Sequence, residues 1–264
     1  MSPDPASNPG SAARLRARRN EHRGTTSGLA PGYVPANLVV LPADYADEFR
    51  EFCARNAAAC PILAVSRPGD PRLPELGCDL DVRTDLPAYR VLRDGALAAE
   101  VTDIASLWRA DLVAFALGCS FSIDHVLAAE GVTLRYLANG GAAPAYLTSQ
   151  PATPAGRFHG PLAVSMRSLT AGDAIRAILI SARYPGAHGA PIHLGAPHLI
   201  GIADINRPEF GAPPDIRDDE LPVFWACGVT PQAAVAASSI PFCITHGPAT
   251  MLVTDVRVAD TATG

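Results

Sequence analysis

The stretch LVVLPADYADEFREFCARNAAACPILAVS, residues 38–66, decides the fold class. Its two ends, 38–41 and 61–66, are short apolar runs of the length typical of buried strands. Between them lies the amphipathic segment 44–56, for which Asp44 offers a side-chain N-cap. A strand, a helix and a second strand in succession predict an α/β arrangement.

The same alternation continues along the chain. Further strands are predicted in the apolar runs 132–138, 161–166, 199–204, 222–227, 242–245 and 251–256. Helices are predicted behind capping residues at 103–117, 170–183 and 230–237, and a short one within 118–131. We therefore predict an α/β fold with a mixed sheet and flanking helices in three layers, plus a smaller α+β domain.

Long connections rich in glycine and proline suggest where the chain divides. We expect a main α/β domain from 27–117 together with 208–264, and a smaller α+β domain from 118–207. Residues 1–26 combine arginine, serine and proline without hydrophobic periodicity. They are therefore predicted to form a disordered tail.

Composition limits the partners. Hydrophobic residues make up 48% of the chain and charged residues 18%, which is enough apolar surface for a sizeable core. The net charge is -5 and the arginines are scattered, so no basic face for nucleic acid is expected. No apolar run reaches the roughly 18 residues that span a membrane. We expect a cytoplasmic protein that binds a small carboxylate or amino acid, and a homodimer on general frequency.

The sequence contains no lysine, and this excludes several mechanisms. Pyridoxal-phosphate enzymes, Schiff-base aldolases and P-loop nucleotide hydrolases all use a lysine in their chemistry. The chain also lacks the GxGxxG, GxSxG and HExxH patterns of dinucleotide-binding proteins, serine hydrolases and zinc peptidases. No cofactor and no metal are expected.

Two segments share the design of a strand that ends in small residues before a helix. In PVFWACGVTPQAA, Cys227 and Gly228 follow the strand, and Thr230 begins the helix. In GCSFSIDHVLAAEG, Ser120 and Ser122 take similar places. Free N–H groups at a helix start bind anions, so both turns are candidate substrate-binding sites. Ordinary helix capping is the alternative.

Five histidines and two arginines are further candidates. In GRFHGP, Arg157 and His159 lie on one face if the chain is extended. Arg157 could then bind a carboxylate through two N–H groups, and His159 could carry a proton. The alternative is an ordinary exposed loop. His246 follows a buried strand, where acid/base residues are common, although a core histidine is the alternative. The remaining candidates have wider spacing or a charged neighbour: His188, His193 and His198 at intervals of five, and Arg83 in RTDLPAYR.

No metal is assigned to His188, His193 and His198. An interval of five suits neither a helix face nor a strand face, so a metal site at the three histidines would need loop geometry. The alternative is that these histidines lie in loops or in the core without a ligand. For Arg83 the alternative is a structural ion pair. His193 and Arg83 are kept as candidates for substrate binding.

Several longer segments of the sequence together resemble one family. They run from about residue 25 to 257: GLAPGYVPANL (28–38), CPILAVSRPGDP (60–71), DVRTDLPAYRV (81–91), GCSFS (118–122), GRFHGP (156–161), HGAPIHLG (188–195), GIADINRPEFG (201–211) and VFWACGVTPQ (223–232). The chain resembles the bacterial hydro-lyase family that shares a domain with D-glutamate cyclase. The resemblance implies a lyase that breaks a carbon–oxygen bond; the cyclase relatives convert D-glutamate to 5-oxo-D-proline and water.

The chain departs from the family pattern at three places. Where the family reads FSFE, this chain reads FSID, so the resemblance gives the role of a glutamate to Asp124 with a shorter reach. Pro35 stands where a glutamine is expected, and the segment after His246 lacks a second histidine.

These candidates define a hypothesis for the reaction. Arg157 would hold a carboxylate, and N–H groups at Gly228 to Thr230 would stabilise an oxyanion together with Ser120 or Ser122. His159 or His246 would move protons. In a covalent variant Cys227 is the nucleophile, because a helix start favours the thiolate.

The hypothesis requires residues 157, 159, 227 and 228 to converge on one cavity. A metal-dependent hydratase and a non-catalytic protein that binds a small acid are the alternatives.

Overall fold

The computed structural model describes residues 8–138 and 142–263. These residues form two sheets with flanking helices, which confirms the α/β class. The helices are α1 (Pro9–Arg18), α2 (Ala46–Arg55), α3 (Phe121–Ala129), α4 (Arg135–Ala138), α5 (Ala171–Ser181) and α6 (Val229–Ala237). No helix in the described ranges is both long and apolar enough to cross a membrane.

The first sheet has seven strands, and its order is β2-β5-β1-β10-β3-β4, with β11 paired to β1 beside β10. Strand β1 is central because β5 pairs along one edge while β10 and β11 share the other. The strands are β1 (Tyr33–Pro42), β2 (Ile62–Val65), β3 (Tyr89–Arg93), β4 (Ala96–Val101), β5 (Leu112–Gly118), β10 (Cys243–His246) and β11 (Leu252–Arg257).

The second sheet has four strands in the order β6-β7-β9-β8. They are β6 (Ala145–Pro151), β7 (Pro161–Thr170), β8 (His193–Leu194) and β9 (Glu220–Ala226). A mixed sheet was expected, whereas every strand pairing found within the described residues is antiparallel.

The core of the first sheet follows from side-chain alternation along β1. Val39 and Leu41 point to the layer that contains α2 and α6, whereas Leu38 and Val40 point to the loop layer 73–86 on the opposite face. All four side chains are fully buried. Burial of each contributes about 1.5–3 kcal/mol, so both faces of the strand hold the sheet in its layers.

The second sheet is also covered on both faces. Val223 and Trp225 pack with α3 and α5, and the Trp225 indole N–H donates to Ser181 Oγ at 3.1 Å. Phe224 faces the other way, toward Ile200 and Ile202. Helix α5 begins as predicted, because Thr170 accepts a hydrogen bond from the N–H of Asp173.

The N-terminal segment is structured where the sequence predicts a tail. Asn8 caps α1, and Arg14 in that helix is fully buried, with Asp79, Asp255 and the carbonyl of Val253 as partners. The disorder prediction is therefore wrong for 8–26, while residues 1–7 lie outside the described residues. The prediction of disorder failed because the acidic partners of Arg14 lie far away in the sequence, where local composition does not reveal them.

Three predicted elements differ from the structure. Residues 103–117 were expected to be helical, but only Ala105–Leu107 form a 3₁₀ turn, and the rest lead into β5. Strand β5 is buried along its whole length between β1 and β2, so it shows no alternation that would separate it from a helix.

The other two differences concern predicted strands. The expected strand 132–138 contains α4 instead. The expected strand 199–204 is a 3₁₀ turn, Pro197–Ile200, that ends at Gly201 with φ of 81°. This left-handed conformation is incompatible with a continuous strand. The division into two domains stays a prediction; β9 of the second sheet lies beyond residue 207.

Candidate active site

A cavity of about 400 Å³ lies between the two sheets. Its wall contains residues from β1, β3 and β10 of the first sheet and from β6 and β7 of the second. The turns that lead from β5 into α3 and from β9 into α6 complete it. This volume falls within the range of about 300–1,000 Å³ found for small-molecule sites, and the polar groups in its wall are few.

The two strand-to-helix turns have the same design. Cys119 and Ser120 connect β5 to α3, and Cys227 and Gly228 connect β9 to α6. Neither helix has a side-chain N-cap. Both helices therefore direct the positive end of their dipole at the cavity without a capping oxygen.

Thr230 was predicted to cap the second of these helices and to bind substrate. Its hydroxyl instead accepts the N–H of Ala163 at 2.9 Å and is fully buried. The N-cap position belongs to Gly228. Thr230 thus connects α6 to strand β7 and does not line the cavity.

Asn37 on β1 connects the two turns. Its side-chain amide donates to the carbonyl of Gly118 at 2.6 Å. The same amide packs against Gly228, where a Cβ atom would lie 2.2 Å from Nδ2. Gly228 is therefore required by this close approach, and the two cysteine-containing turns lie next to each other in space.

Ser165 on β7 lies beside both turns. Its hydroxyl donates to Ser120 Oγ at 3.4 Å. Arg167 donates to Ser165 at 2.6 Å from behind. The hydroxyls of Ser120 and Ser165 and the guanidinium of Arg167 thus belong to one hydrogen-bonded group, and Ser165 lines the cavity together with Cys227.

Burial raises the pKa of Cys119 to about 12, against the backbone N–H of Phe121 at the helix start, which lowers it. Burial also raises the pKa of Cys227, although that residue is partly open to the cavity, and the N–H groups of Val229 and Gly228 act in the opposite direction. Burial thus acts against the thiolate that the helix start was expected to favour, and a nucleophilic role for Cys227 stays a prediction.

His246, at the end of β10, is neutral. Its Nδ1 lies 3.2 Å from the backbone nitrogen of Leu38 and 3.5 Å from the Leu38 carbonyl oxygen, and its Nε2 lies 3.0 Å from the side-chain nitrogen of Gln232. Burial lowers the pKa of His246 to about 4, and the charge of Arg90 acts in the same direction. At neutral pH this imidazole is a hydrogen-bond donor and a weak base.

One guanidinium and one carboxylate are found among the described residues that line the cavity. Arg90 on β3 is held by Glu100, Nε to Oε1, at 2.8 Å. Glu209 is held by the N–H of Leu147, which donates to its Oε2 at 3.1 Å. The cavity therefore offers a positive and a negative partner for a substrate that carries both charges.

Asp124, to which the resemblance assigns a glutamate's role, lies behind the cavity wall. Arg167 donates to its Oδ1 from Nε and Nη2, at 3.0 and 2.9 Å, and both side chains are buried. Burial opposes the charge of Arg167, but the ion pair with Asp124 outweighs it and raises the pKa of the guanidinium. The pair, with Arg167 stacked on Trp225, supports the turn from behind. The predicted catalytic position of Asp124 is wrong, because its carboxylate faces Arg167. Ser122 is likewise buried and does not line the cavity.

Arg157 and His159 do not reach the cavity. Both are exposed, and Arg157 lies over the Tyr45 ring, 4.7 Å from its centroid, with its Nε 3.4 Å from Glu48. The expected convergence of residues 157 and 159 with 227 and 228 is therefore wrong. The alternation in GRFHGP is present, with Phe158 buried between the two, but Arg157 contacts Tyr45 and Glu48 on the outer surface.

The other predicted residues also lie elsewhere. Arg83 forms the ion pair that was its alternative, with Asp81 at 2.6 Å. His193 bonds the carbonyl of Ala196 at 2.9 Å, and His188 is buried against the carbonyl of Ala58. In the described part of the chain, ligand groups close enough to hold a metal occur together in one cluster, which contains none of these histidines: Cys78, Asp79 and Asp255.

Sequence reasoning thus placed Ser120, Cys227, Gly228 and His246 at the cavity and missed others. The missed residues are Asn37, Arg90, Cys119, Glu209 and Gln232. Cys119 carried the same local signal as Cys227, since both follow a strand and precede a helix. Asn37, Arg90 and Glu209 have no local signal, because strand pairing and the return of loop 205–211 bring them to the site, whereas Gln232 lies on α6, one turn after Gly228.

Known proteins that are similar to this chain agree with the family resemblance of its sequence. The family model described as D-glutamate cyclase matches residues 113–255. A protein of Bordetella petrii is 57% identical over 97% of both chains. One of Verminephrobacter eiseniae is 56% identical over 94% of this chain and 90% of its own, and one of Bradyrhizobium diazoefficiens is 52% identical over 97% and 93%. Each is named "Putative hydro-lyase".

A solved structure of a nitrogen repressor-like protein from Methanococcus jannaschii covers 98% of both chains at 12% identity. Its TM-score of 0.38 is too low to support a conclusion about this chain.

Proposed function

The chain belongs to the D-glutamate cyclase family, as the matching segments of its sequence indicated, and from this we propose that it is a lyase that removes water from a small carboxylic or amino acid. In its specific form, the proposed reaction converts D-glutamate to 5-oxo-D-proline and water. One observation carries the proposal: the cavity combines two uncapped helix starts with one cation and one anion.

The charges of the cavity suit an amino acid with a second carboxylate. A carboxylate fits the starts of α3 and α6, where backbone N–H groups and the helix dipoles attract an anion. Arg90 offers a charge-assisted bond to the other carboxylate. Glu209 offers the matching bond to the ammonium group.

The same groups account for the steps of cyclisation. The amine must lose protons and attack the γ-carboxyl carbon, and Glu209 is the carboxylate available to accept a proton. Two protons that leave the nitrogen end on the departing oxygen, which becomes water.

The negative charge that develops on the carboxyl oxygen faces the N–H groups at the helix starts, beside the neutral imidazole of His246. One such donor is worth roughly 10²–10³ in rate. Holding the chain folded adds an effective concentration of roughly 10⁵–10⁸ M.

The test is incubation of the purified protein with D-glutamate, L-glutamate, 5-oxoproline and a panel of hydroxy acids, followed by ¹H NMR. We expect conversion of at least one acid to a product that lacks one water. Binding detected by calorimetry without conversion of any acid would overturn the lyase and favour a non-catalytic binding protein. Loss of turnover after treatment with a chelator would favour the metal-dependent hydratase.

A pair of arginine variants sharpens this test. Arg90→Gln removes the cation of the cavity, and we expect KM to rise at least tenfold. Arg109→Gln is the matched control, because Arg109 also binds a nearby carboxylate, Asp111 at 2.9 Å, but does not line the cavity. Equal kinetics in the two variants would contradict the placement of substrate beside Arg90.

A further inference from the structure

The cavity contains two thiols, which enter it from different sheets. Cys119 follows β5 of the first sheet, and Cys227 follows β9 of the second. Each cysteine stands at the start of the helix that follows it, α3 after Cys119 and α6 after Cys227. Loss of water by cyclisation requires neither thiol as a proton carrier, so their shared placement calls for a separate explanation.

The two thiols are close enough to influence each other. Asn37 bonds the residue before Cys119 and packs against the residue after Cys227. A negative charge on Cys227 raises the pKa of Cys119, after the larger effect of burial. The other buried cysteines, such as Cys53 and Cys243, lie in the core and do not line the cavity.

We propose that Cys119 and Cys227 form a pair of acid/base thiols that exchange the proton on the carbon next to a substrate carboxylate. The substrate class is an α-amino or α-hydroxy acid. The inference rests on the proposed function only in using the same cavity for the carboxylate; it does not depend on the loss of water.

The exchange balances without a co-reactant. The thiolate of one cysteine removes the α-proton and becomes a thiol, and the electron pair of the C–H bond moves into the carboxyl group. The thiol of the other cysteine then gives its proton to the same carbon and becomes a thiolate. If the new proton arrives on the opposite face, the configuration of the carbon inverts, and the two cysteines have exchanged roles.

The surroundings of the thiols suit this chemistry. Removal of an α-proton places a second negative charge on the oxygens of the α-carboxylate, which is the carboxylate that the proposed function assigns to Arg90. A carbon acid needs a base stronger than a carboxylate, and a desolvated thiolate is such a base. His246 is a weak base at neutral pH, since burial lowers its pKa to about 4.

The experiment follows the α-proton signal by ¹H NMR in D₂O, with D-glutamate, L-glutamate and matching hydroxy acids as probes. We expect the wild-type protein to replace the α-proton with deuterium. Cys119→Ser and Cys227→Ser should each slow exchange at least 100-fold for one enantiomer, and the double variant should abolish it for both. Cys78→Ser is the matched control, because this cysteine is exposed and outside the cavity, and it should exchange at the wild-type rate.

The outcomes separate this inference from the proposed function. Absence of exchange with every probe, or exchange that survives in the double variant, overturns the thiol pair. If the double variant still forms 5-oxoproline, the lyase stands without the pair. Exchange without loss of water from any acid supports the pair and overturns the lyase. Circular dichroism of each variant at 25 °C establishes that loss of exchange is not loss of the fold.

Discussion

The backbone of Leu38 holds the ring of His246 at the cavity: Nδ1 lies 3.2 Å from the Leu38 nitrogen and 3.5 Å from its carbonyl oxygen. On its other side the ring contacts the Gln232 side chain, whose nitrogen lies 3.0 Å from Nε2. Leu38 and His246 belong to the paired strands β1 and β10, so the pairing of the sheet fixes the position of the imidazole.

The first prediction concerns the protonation of His246. Because burial lowers its pKa to about 4, the ring should remain neutral from pH 5 to 8. ¹⁵N NMR of the histidine side chains would test this, with the exposed His198 as the internal reference. A His246 signal that titrates between pH 6 and 7 would contradict the assigned environment.

The second prediction is a loss of stability in mild acid. Burial holds the pKa of His188 and of His246 at about 4, whereas the unfolded chain titrates near 6.5. Between these values the unfolded state binds more protons, so the free energy of unfolding should fall with falling pH, by about 1.4 kcal/mol per pH unit for each histidine. Urea unfolding at pH 7.0, 6.0 and 5.0 measures this slope.

A pair of variants checks the origin of that slope. His246→Gln should remove about half of the histidine contribution, and His198→Gln should leave the slope unchanged because that side chain is exposed. An unchanged slope in His246→Gln would assign the acid sensitivity to other groups.

The third prediction uses the close approach at Gly228. A Cβ there would lie 2.2 Å from the amide of Asn37, so Gly228→Ala must displace either α6 or Asn37. We expect a loss of about 1–3 kcal/mol in stability and a loss of turnover. Gly172→Ala is the control, because nothing lies within 4 Å of its Cβ position in α5, and it should stabilise the helix by up to about 1 kcal/mol. Thermal unfolding of both variants decides between these outcomes.

The fourth prediction tests whether Asp124 is structural. Asp124→Ala leaves the buried charge of Arg167 without its partner, which should cost about 3–5 kcal/mol. Glu51→Ala breaks an ion pair with Arg55 whose two side chains are half exposed, and it should cost less than about 1 kcal/mol. Denaturant unfolding measures both. Full stability of Asp124→Ala with loss of turnover would instead favour direct participation in the reaction.

Local patterns in the sequence were sufficient for much of the fold. Strand β1 and helix α2 follow from a change of hydrophobic period within the segment 38–66, and the capping of α5 follows from Thr170 and Asp173. Strand β5 was missed because a strand buried on both faces has no alternation to detect.

The candidate site shows the same division between local and long-range information. The turn at Cys227 and Gly228 is a local signal and was found. Arg90 and Glu209 reach the cavity only through the pairing of β3 and the path of loop 205–211, which no short pattern reports. Arg157 carried a strong local pattern, but the ring of Tyr45 and the carboxylate of Glu48 hold it on the outer surface.

Helix α1 has a consequence for how the protein is made. Arg14 binds Asp255, which lies 241 residues further along the chain. As the ribosome adds residues one at a time, the helix emerges early, yet the strand that receives it is among the last segments to appear. Arg14 can pair with Asp79 once that loop has emerged, but its bonds to Asp255 and to the carbonyl of Val253 form only when β11 joins the sheet. Contacts of such long sequence separation form slowly, so complete docking of α1 follows the formation of β11.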